Sequence, residues 1–301
     1  MDGCEKPQRV AVCIASYRRR QGLQALFGGL DAQRFEGERP EIVLVVADND
    51  AAESARPVCE DARRWLSLPL RYVVEPRKGI SFARNATVRH AGDADWLAFI
   101  DDDEVPELRW LDTLMRVQRE TGADVVTGPV HARFQREPPA WVLEGGFFAS
   151  ARHATGALLG FAYTGNALLR ARLLDGEREL FDPDFHFGIG EDTLLFSRLA
   201  ARGARVVWAE EAVVFESVPP ERVRVRWLVR RGFAVGAGMT HITRRRRGAV
   251  WACVEALVHA GWCAARGLAL TLLAVRRARR VRGLQLIGCA GGRLAGLAGV
   301  S

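Results

Sequence analysis

The chain has 301 residues, 49% hydrophobic and 26% charged. That composition excludes a disordered chain and leaves room for one large domain, or one domain with an appendage. Net charge is +7 but uneven: residues 222–282 hold fifteen arginines against one acid, Glu255, and the rest is near balance. Six scattered cysteines with no CxxC pair suggest neither a zinc site nor a disulfide framework.

The start, MDGCEKPQRV, is polar and lacks the apolar core of a secretory signal, so the folded part is expected in the cytosol. Short β-branched apolar runs follow at 10–16 (VAVCIAS), 41–50 (EIVLVVADND), 70–76, 95–103 and 123–130. Mixed, helix-length stretches separate them at 18–35, 51–66, 80–92 and 107–121. Strands without strict alternation, divided by helices, predict a mostly parallel sheet covered on both faces. The fold class is α/β in the doubly wound style. Ligands of such sheets bind at the carboxyl ends of the strands. That puts Ser16–Tyr17, Asp48–Asn49–Asp50 and Asp101–Asp103 on one rim.

Residues 131–190, rich in Gly, Pro and aromatics, read as loops over the rim. GEDTLLFSRLAARG (190–203) reads as a helix with an acidic first turn and a terminal Gly203. One or two further strands are expected in 204–216. From 222 the chain turns basic: RVRVRWLVRRGFAVGAG, then RRRR at 244–247 and an apolar stretch over 248–275. Glu255 and Arg266 interrupt that stretch, so no uncharged run reaches the roughly 18–20 residues of a spanning helix. As a helix over 249–280, Glu255, His259, Arg266, Arg277 and Arg280 share one narrow face. That is the pattern of an amphipathic helix in a membrane interface; the alternative is a core helix with one polar edge. The Gly-rich 283–300 reads as a short re-entrant or interfacial piece. The division expected is 1–221 for the α/β domain and 222–301 for a basic, membrane-associating helical tail.

The densest charge lies in WLAFIDDDEVP (96–106), where an apolar run ends in Asp101, Asp102, Asp103 and Glu104. By strand periodicity Asp101 and Asp103 point to one side and Asp102 to the other. Two converging carboxylates suit Mg²⁺ or Mn²⁺, the usual partner of a diphosphate. Helix capping ahead of PELRWL explains one or two acids, not four. Asp102 is counted with the donor-side acids and Glu104 with the start of the next helix. Asp48 can accept bonds from a nucleobase or ribose, and Tyr17 can stack on a base. KGISFARN (78–85) offers Lys78 and Arg84 to a diphosphate near a helix start. Glu191 and Asp192, after a Gly-rich loop, are candidates for the base that deprotonates an incoming hydroxyl, or are helix caps.

VCIASYRR, VVADND, KGISFARN, FIDDDEVP, YTGNALLR and GEDTLLFSRL together resemble the GT-A-type nucleotide-sugar transferases of glycosyltransferase family 2, over roughly residues 8–216. The resemblance implies a single GT-A domain of Rossmann-like architecture with a metal-bound sugar nucleotide as donor. It implies that Asp48 and the Ala15–Tyr17 loop hold the nucleobase and Arg84 lies near the diphosphate. Asp101 and Asp103 match the DxD positions for ribose and metal. Asp192 matches the base of an inverting displacement, and Asn166 matches a loop bordering donor sugar and acceptor. Two departures stand out. Relatives carry a histidine metal ligand after the last strand, where this chain has Phe215 and Glu216, the latter a speculative substitute. The QxxRW signature of processive synthases keeps Arg226–Trp227 but has Val223 for Gln, which argues for single addition.

The expectation is therefore an inverting, metal-dependent transferase, leaning to UDP-sugars, acting on a lipid-linked or cell-surface polysaccharide acceptor. It would be peripheral at the cytoplasmic side of the inner membrane, with no nucleic-acid partner. A non-catalytic membrane-surface protein on the same scaffold is the alternative, and the intact Asp101, Asp103 and Asp192 argue against it.

Overall fold

A computed structural model describes residues 7–174, 179–185 and 189–299. In chain order the elements are β1 (Arg9–Ser16), α1 (Arg20–Asp31), β2 (Glu41–Asp48), α2 (Arg56–Ala62), β3 (Leu70–Val74), α3 (Ile80–Arg89) and β4 (Trp96–Phe99). Next come β5 (Glu104–Pro106), α4 (Trp110–Thr121), β6 (Val125–Thr127), β7 (Val130–Phe134), α5 (Ala140–Glu144), β8 (Leu158–Leu159) and β9 (Ala167–Arg170). The remainder is α6 (Glu191–Ala201), β10 (Val206–Trp208), β11 (Val214–Val218), α7 (Val225–Arg247), α8 (Ala249–Leu273) and α9 (Arg277–Leu297).

The chain divides into two compact units. The first comprises Met1–His131, Ser150–His186 and Leu195–Glu216. Its main sheet has the order β3-β2-β1-β4-β9-β6-β10-β8. β1 pairs in parallel with β2 and with β4, while β9 runs antiparallel between β4 and β6. Alternation along β1 serves both faces. Val10, Val12 and Ile14 pack with Leu26 and Phe27 of α1 and Trp110 and Leu114 of α4. Ala11 and Cys13 pack on the other face with Leu195, Phe196 and Leu199 of α6. The α/β expectation holds, with a mixed rather than uniformly parallel sheet. β9 comes from YTGNALLR, whose apolar ALLR is only four residues long, too short for periodicity to separate strand from loop. The run at 123–130 also splits, into β6 and the start of β7.

The second unit comprises Ala132–Ala149, Phe187–Leu194 and Ser217–Ser301. Two earlier segments thus join the tail, whose long run begins at Ser217 rather than at 222. Trp141 and Val142 of α5 pack with Leu228 of α7 and Ala278 and Val281 of α9. The helix expected over 249–280 ends at Leu273, and the backbone is extended at Ala274 and Arg276 before α9 begins. Arg277 and Arg280 therefore leave the polar face of Glu255, His259 and Arg266. The segment 283–300 is no separate re-entrant piece: through Leu297 it continues α9. The turn lets the small residues Ala260 and Cys263 of α8 lie against Ala290 of α9. Among the described residues α8 is the one helix long and apolar enough to cross a membrane by length and composition.

Asn166 ties the first unit together. Its amide nitrogen donates to Pro129 O (3.0 Å) and Ala212 O (2.7 Å), and its oxygen accepts from Trp110 Nε1 (2.8 Å). The side chain is 1% exposed. Expected beside donor and acceptor, this amide is instead spent on the scaffold, joining α4, the β6–β7 connection and the approach to β11. Replacing it leaves three buried partners unmet, each costing about 1–3 kcal/mol. Asn166→Ala is expected to lower unfolding stability by on the order of 3 kcal/mol, read as the denaturant midpoint at unchanged slope.

Candidate active site

The chain winds outward from β1 through β2 to β3, then returns to the far side of β1 as β4. The point between β1 and β4 is therefore the switch point of the sheet, and ligands of such sheets bind there, at the carboxyl ends of the strands. Ala15, Ser16 and Tyr17 leave β1 at this point, and Asp101–Asp103 leave β4.

Asp101–Asp103 lie in a turn after β4, and Glu104 opens β5. β4 ends at Phe99. The Glu104 N–H donates to Asp101 O (3.1 Å), and the Asp101 N–H donates back to the Glu104 carboxylate (2.7 Å). Strand alternation cannot sort side chains across such a turn. Burial sorts them instead: Asp102 and Glu104 are 4% and 3% exposed, while the Asp101 and Asp103 side chains keep 36% and 14%. Gly165 of the TGN loop lies on Glu104, where a Cβ would come within 2.7 Å of Oε1. Gly22 of α1 lies on the backbone of Asp102, where a Cβ would strike the carbonyl oxygen.

Asp102 turns inward to β1. Its carboxylate accepts from Ser16 Oγ (2.8 Å), Tyr17 N–H (3.3 Å) and Arg19 Nη1 (2.9 Å). Burial pushes the Asp102 carboxyl up to about 6, against the opposing pull of Arg19 and Ser16. The Glu104 carboxyl is pushed well above the usual range by burial first and by Asp101 next. Glu216, half-buried, lies directly across the β5–β11 pair from Glu104 and adds to that shift. Asp102 therefore fastens the loop rather than facing a ligand.

Guanidinium groups balance these acids. Arg19 reaches Asp103 (2.8 Å) as well as Asp102, and Arg84, 7% exposed, reaches Asp101 (2.8 Å). Arg18, held at φ 56°, bonds Asp50 (2.8 Å) and keeps that carboxyl down at about 2. Asp48 is fully buried and accepts from Ala55 N–H (2.7 Å), Tyr72 Oη (2.9 Å) and Asp50 N–H (3.1 Å). Asn49 donates to Glu75 O and Arg77 O and accepts from Gly79 N–H (2.8 Å). It thereby holds the loop before α3, with Gly79 in a conformation (φ 143°) that L side chains rarely adopt. Tyr17 is 39% exposed, with Lys78 Nζ 5.7 Å and the Arg18 guanidinium 5.1 Å from its ring.

The first unit thus gathers Ala15, Tyr17, Asp48, Lys78, Arg84 and Asp101–Asp103 on one rim, with Asn166 buried at the start of β9. Arg18 and Arg19 are organisers that sequence reasoning left out of the site, and Asn49 and Glu104, noted there without a role, organise it too. Their signal was the paired arginines of SYRR and the Asn of ADND. Among the described residues no three His, Cys, Asp or Glu side chains gather to hold an ion. Two carboxylates with solvent access on a turn suit a hard cation whose other ligands are phosphate and water. Asp101 and Asp103 fit that role.

Glu191 and Asp192 open α6 within the second unit. Glu191 is buried and accepts from Gly190 N–H (3.1 Å). Asp192 Oδ1 accepts from Thr193 N–H (2.6 Å). Both acids suit the positive end of the helix.

Residues 11–176 match the sequence profile of glycosyl transferase family 2. The chain is 34% identical over 277 residues to the succinoglycan biosynthesis protein ExoM of Rhizobium meliloti (strain 1021), covering 90% of this chain and 87% of that protein. Two solved structures share the fold. The mannosyltransferase PcManGT of Pyrobaculum calidifontis, in complex with GDP-Man and Mn²⁺, aligns with a TM-score of 0.63 at 17% identity, over 96% of this chain and 88% of its own. TarS 1-349 of S. aureus, in complex with UDP, aligns with a TM-score of 0.55 at 15% identity, over 96% and 91%. A profile match over more than half of the chain and a relative matched over nine tenths of it lead to one conclusion: the chain belongs to glycosyl transferase family 2 and is a glycosyltransferase.

Proposed function

We propose that this chain moves one sugar from a nucleoside-diphosphate sugar to a lipid-linked or cell-surface polysaccharide acceptor, with inversion at the anomeric carbon. The observation that carries this reading is the acid turn at the switch point, with two open carboxylates over two buried ones. The likeness to a protein of succinoglycan biosynthesis supports an exopolysaccharide acceptor.

Tyr17 offers an open ring to the base, and the loops fastened by Asp48 and Asn49 border it. Lys78 and Arg84 supply positive charge to the diphosphate. Asp101 and Asp103 would hold a divalent cation, which would supply charge stabilisation for the departing nucleoside diphosphate. Asp192 accepts the proton of the acceptor hydroxyl as its oxygen bonds to C1 and the C1–O bond to the diphosphate breaks. Glu191, buried beside it, bonds the Gly190 backbone and positions the helix start.

Arg19 and Arg84 already hold Asp103 and Asp101, so a cation alone must displace them. A diphosphate entering with the cation gives both guanidinium groups a new partner. Thermal shift should therefore be small with Mn²⁺ alone and large with Mn²⁺ plus UDP or a UDP-sugar. Asp103→Ala should abolish the metal-dependent part; a full shift in that variant would remove Asp103 from the metal site. Asp192→Asn should keep the donor-induced shift while sugar transfer falls roughly 100-fold or more. Unchanged turnover in that variant excludes Asp192 as the base.

A further inference from the structure

Helix α8 is packed inside out. It buries its small residues, Ala252, Ala256, Ala260, Cys263 and Gly267, and leaves its large apolar ones in the open. Val250 is 78% exposed, Val258 65%, Trp262 54%, Leu272 71% and Leu273 80%. A helix at the surface of a water-soluble protein does the reverse, because burying large apolar side chains drives its packing. The neighbouring helices meet through glycine as well. A Cβ on Gly232 or Gly236 of α7 would strike the carbonyl oxygens of Gln285 or Cys289 of α9. Helices that pack by small residues and close backbone approach are suited to an apolar solvent.

The exposed arc has a defined edge. At about 100° per residue the large apolar side chains of α8 fill one broad arc, and Glu255, His259 and Arg266 fall along its margin. His259 and Arg266 are exposed, and His259 is close to the middle of the helix. A helix crossing a bilayer would carry both into hydrocarbon, where ionisable groups are costly. A helix lying in the plane of the interface leaves that margin among the headgroups. Both ends are basic and exposed: Arg244–Arg247 close α7, and Arg276, Arg277, Arg279 and Arg280 flank the turn into α9. Glu255, the one acid in this stretch, already accepts from Thr243 Oγ1 (3.0 Å) and pairs with Arg293 (3.4 Å).

We propose that α8 lies in the plane of an anionic phospholipid surface, its apolar arc at the acyl boundary and the two arginine clusters on lipid phosphates. The charge of both flanks commits the arc to an anionic bilayer rather than to a protein partner. This rests on the lipid-linked acceptor reading and deepens it, but its observations come from α7, α8 and α9 alone, so its failure leaves the donor site of the first unit untouched.

The test uses the full chain with sealed vesicles, of phosphatidylcholine with phosphatidylglycerol or of phosphatidylcholine alone, read by co-sedimentation. Binding is expected to the anionic vesicles and to weaken roughly 100-fold or more when Arg244–Arg247 are all changed to Ala. Leu257→Ser with Val258→Ser should weaken it further, while the nucleotide-dependent thermal shift, a property of the first unit, shows that the variants fold. Quenching by brominated lipids, taken as the difference between wild type and Trp251→Phe or Trp262→Phe, should place both indoles at one depth. These residues are about 16 Å apart along the helix axis. Depths that differ by that separation mean a spanning helix and overturn the proposal. So does an absence of vesicle binding, or a lipid-free dimer whose formation is abolished by the Leu257/Val258 change.

Discussion

The active rim depends on one buried carboxylate. Asp102 joins the end of β4 to the end of β1 through Ser16, Tyr17 and Arg19. These loops leave the sheet where its winding reverses, so nothing in the strand pairing itself holds them together. A buried carboxylate is costly unless its lone pairs are met, and here three donors from one loop meet them. The same inward turn of Asp102 leaves its neighbours Asp101 and Asp103 at the lip. One acid is spent on architecture so that two can face solvent.

A second constraint follows from crowding. Asp101, Asp102, Asp103, Glu104 and, across the strand pair, Glu216 bring like charges together. Burial and mutual repulsion hold the Glu104 carboxyl well above its ordinary range. Arg19 and Arg84 offset the charge of the outer acids from opposite sides of the turn, one from the β1 loop and one from α3. The arginines of SYRR are thus part of the same electrostatic balance as the acids of DDDE, although some eighty residues separate them in sequence. Asp50 shows the same logic on the β2 loop, where Arg18 holds it ionised far below the usual carboxylate range.

Much of this was legible in the sequence, because the signals were local. Apolar β-branched runs gave β1 to β4, and the abrupt change from WLAF to DDDE marked the rim. What was not legible depended on where the strand stopped. Alternation was extended across Asp101–Asp103, but the chain turns after Phe99, and burial rather than periodicity separates the acids. Asn166 misled in a similar way: a polar residue in a Gly-containing loop looks like a ligand contact. Only the approach of α4, Pro129 and Ala212, all distant in sequence, shows that its amide is consumed internally. The helix expected over 249–280 breaks at 274–276, where no Gly or Pro marks the turn and only the change from LLAV to RRARR signals it. The reason for the turn lies in α9, whose small residues receive those of α8.

The two units rest on different physics. In the first, Trp96, Trp110, Phe27 and Phe99 are fully buried, and stability comes from large apolar side chains withdrawn from water. In the second, Trp141, Leu228 and Val281 form a smaller apolar cluster, while glycines and alanines bring α7, α8 and α9 into close approach. Such packing gains from dispersion and close backbone approach, not from transfer out of water. It is a poor way to build a domain in water and a reasonable one where the solvent is itself apolar. The arginines at both ends of α8 set a limit in the other direction, because guanidinium groups must stay where phosphate or water can reach them. An apolar arc between two cationic ends satisfies both demands at the boundary of a bilayer, and neither demand is met by full immersion or by full exposure.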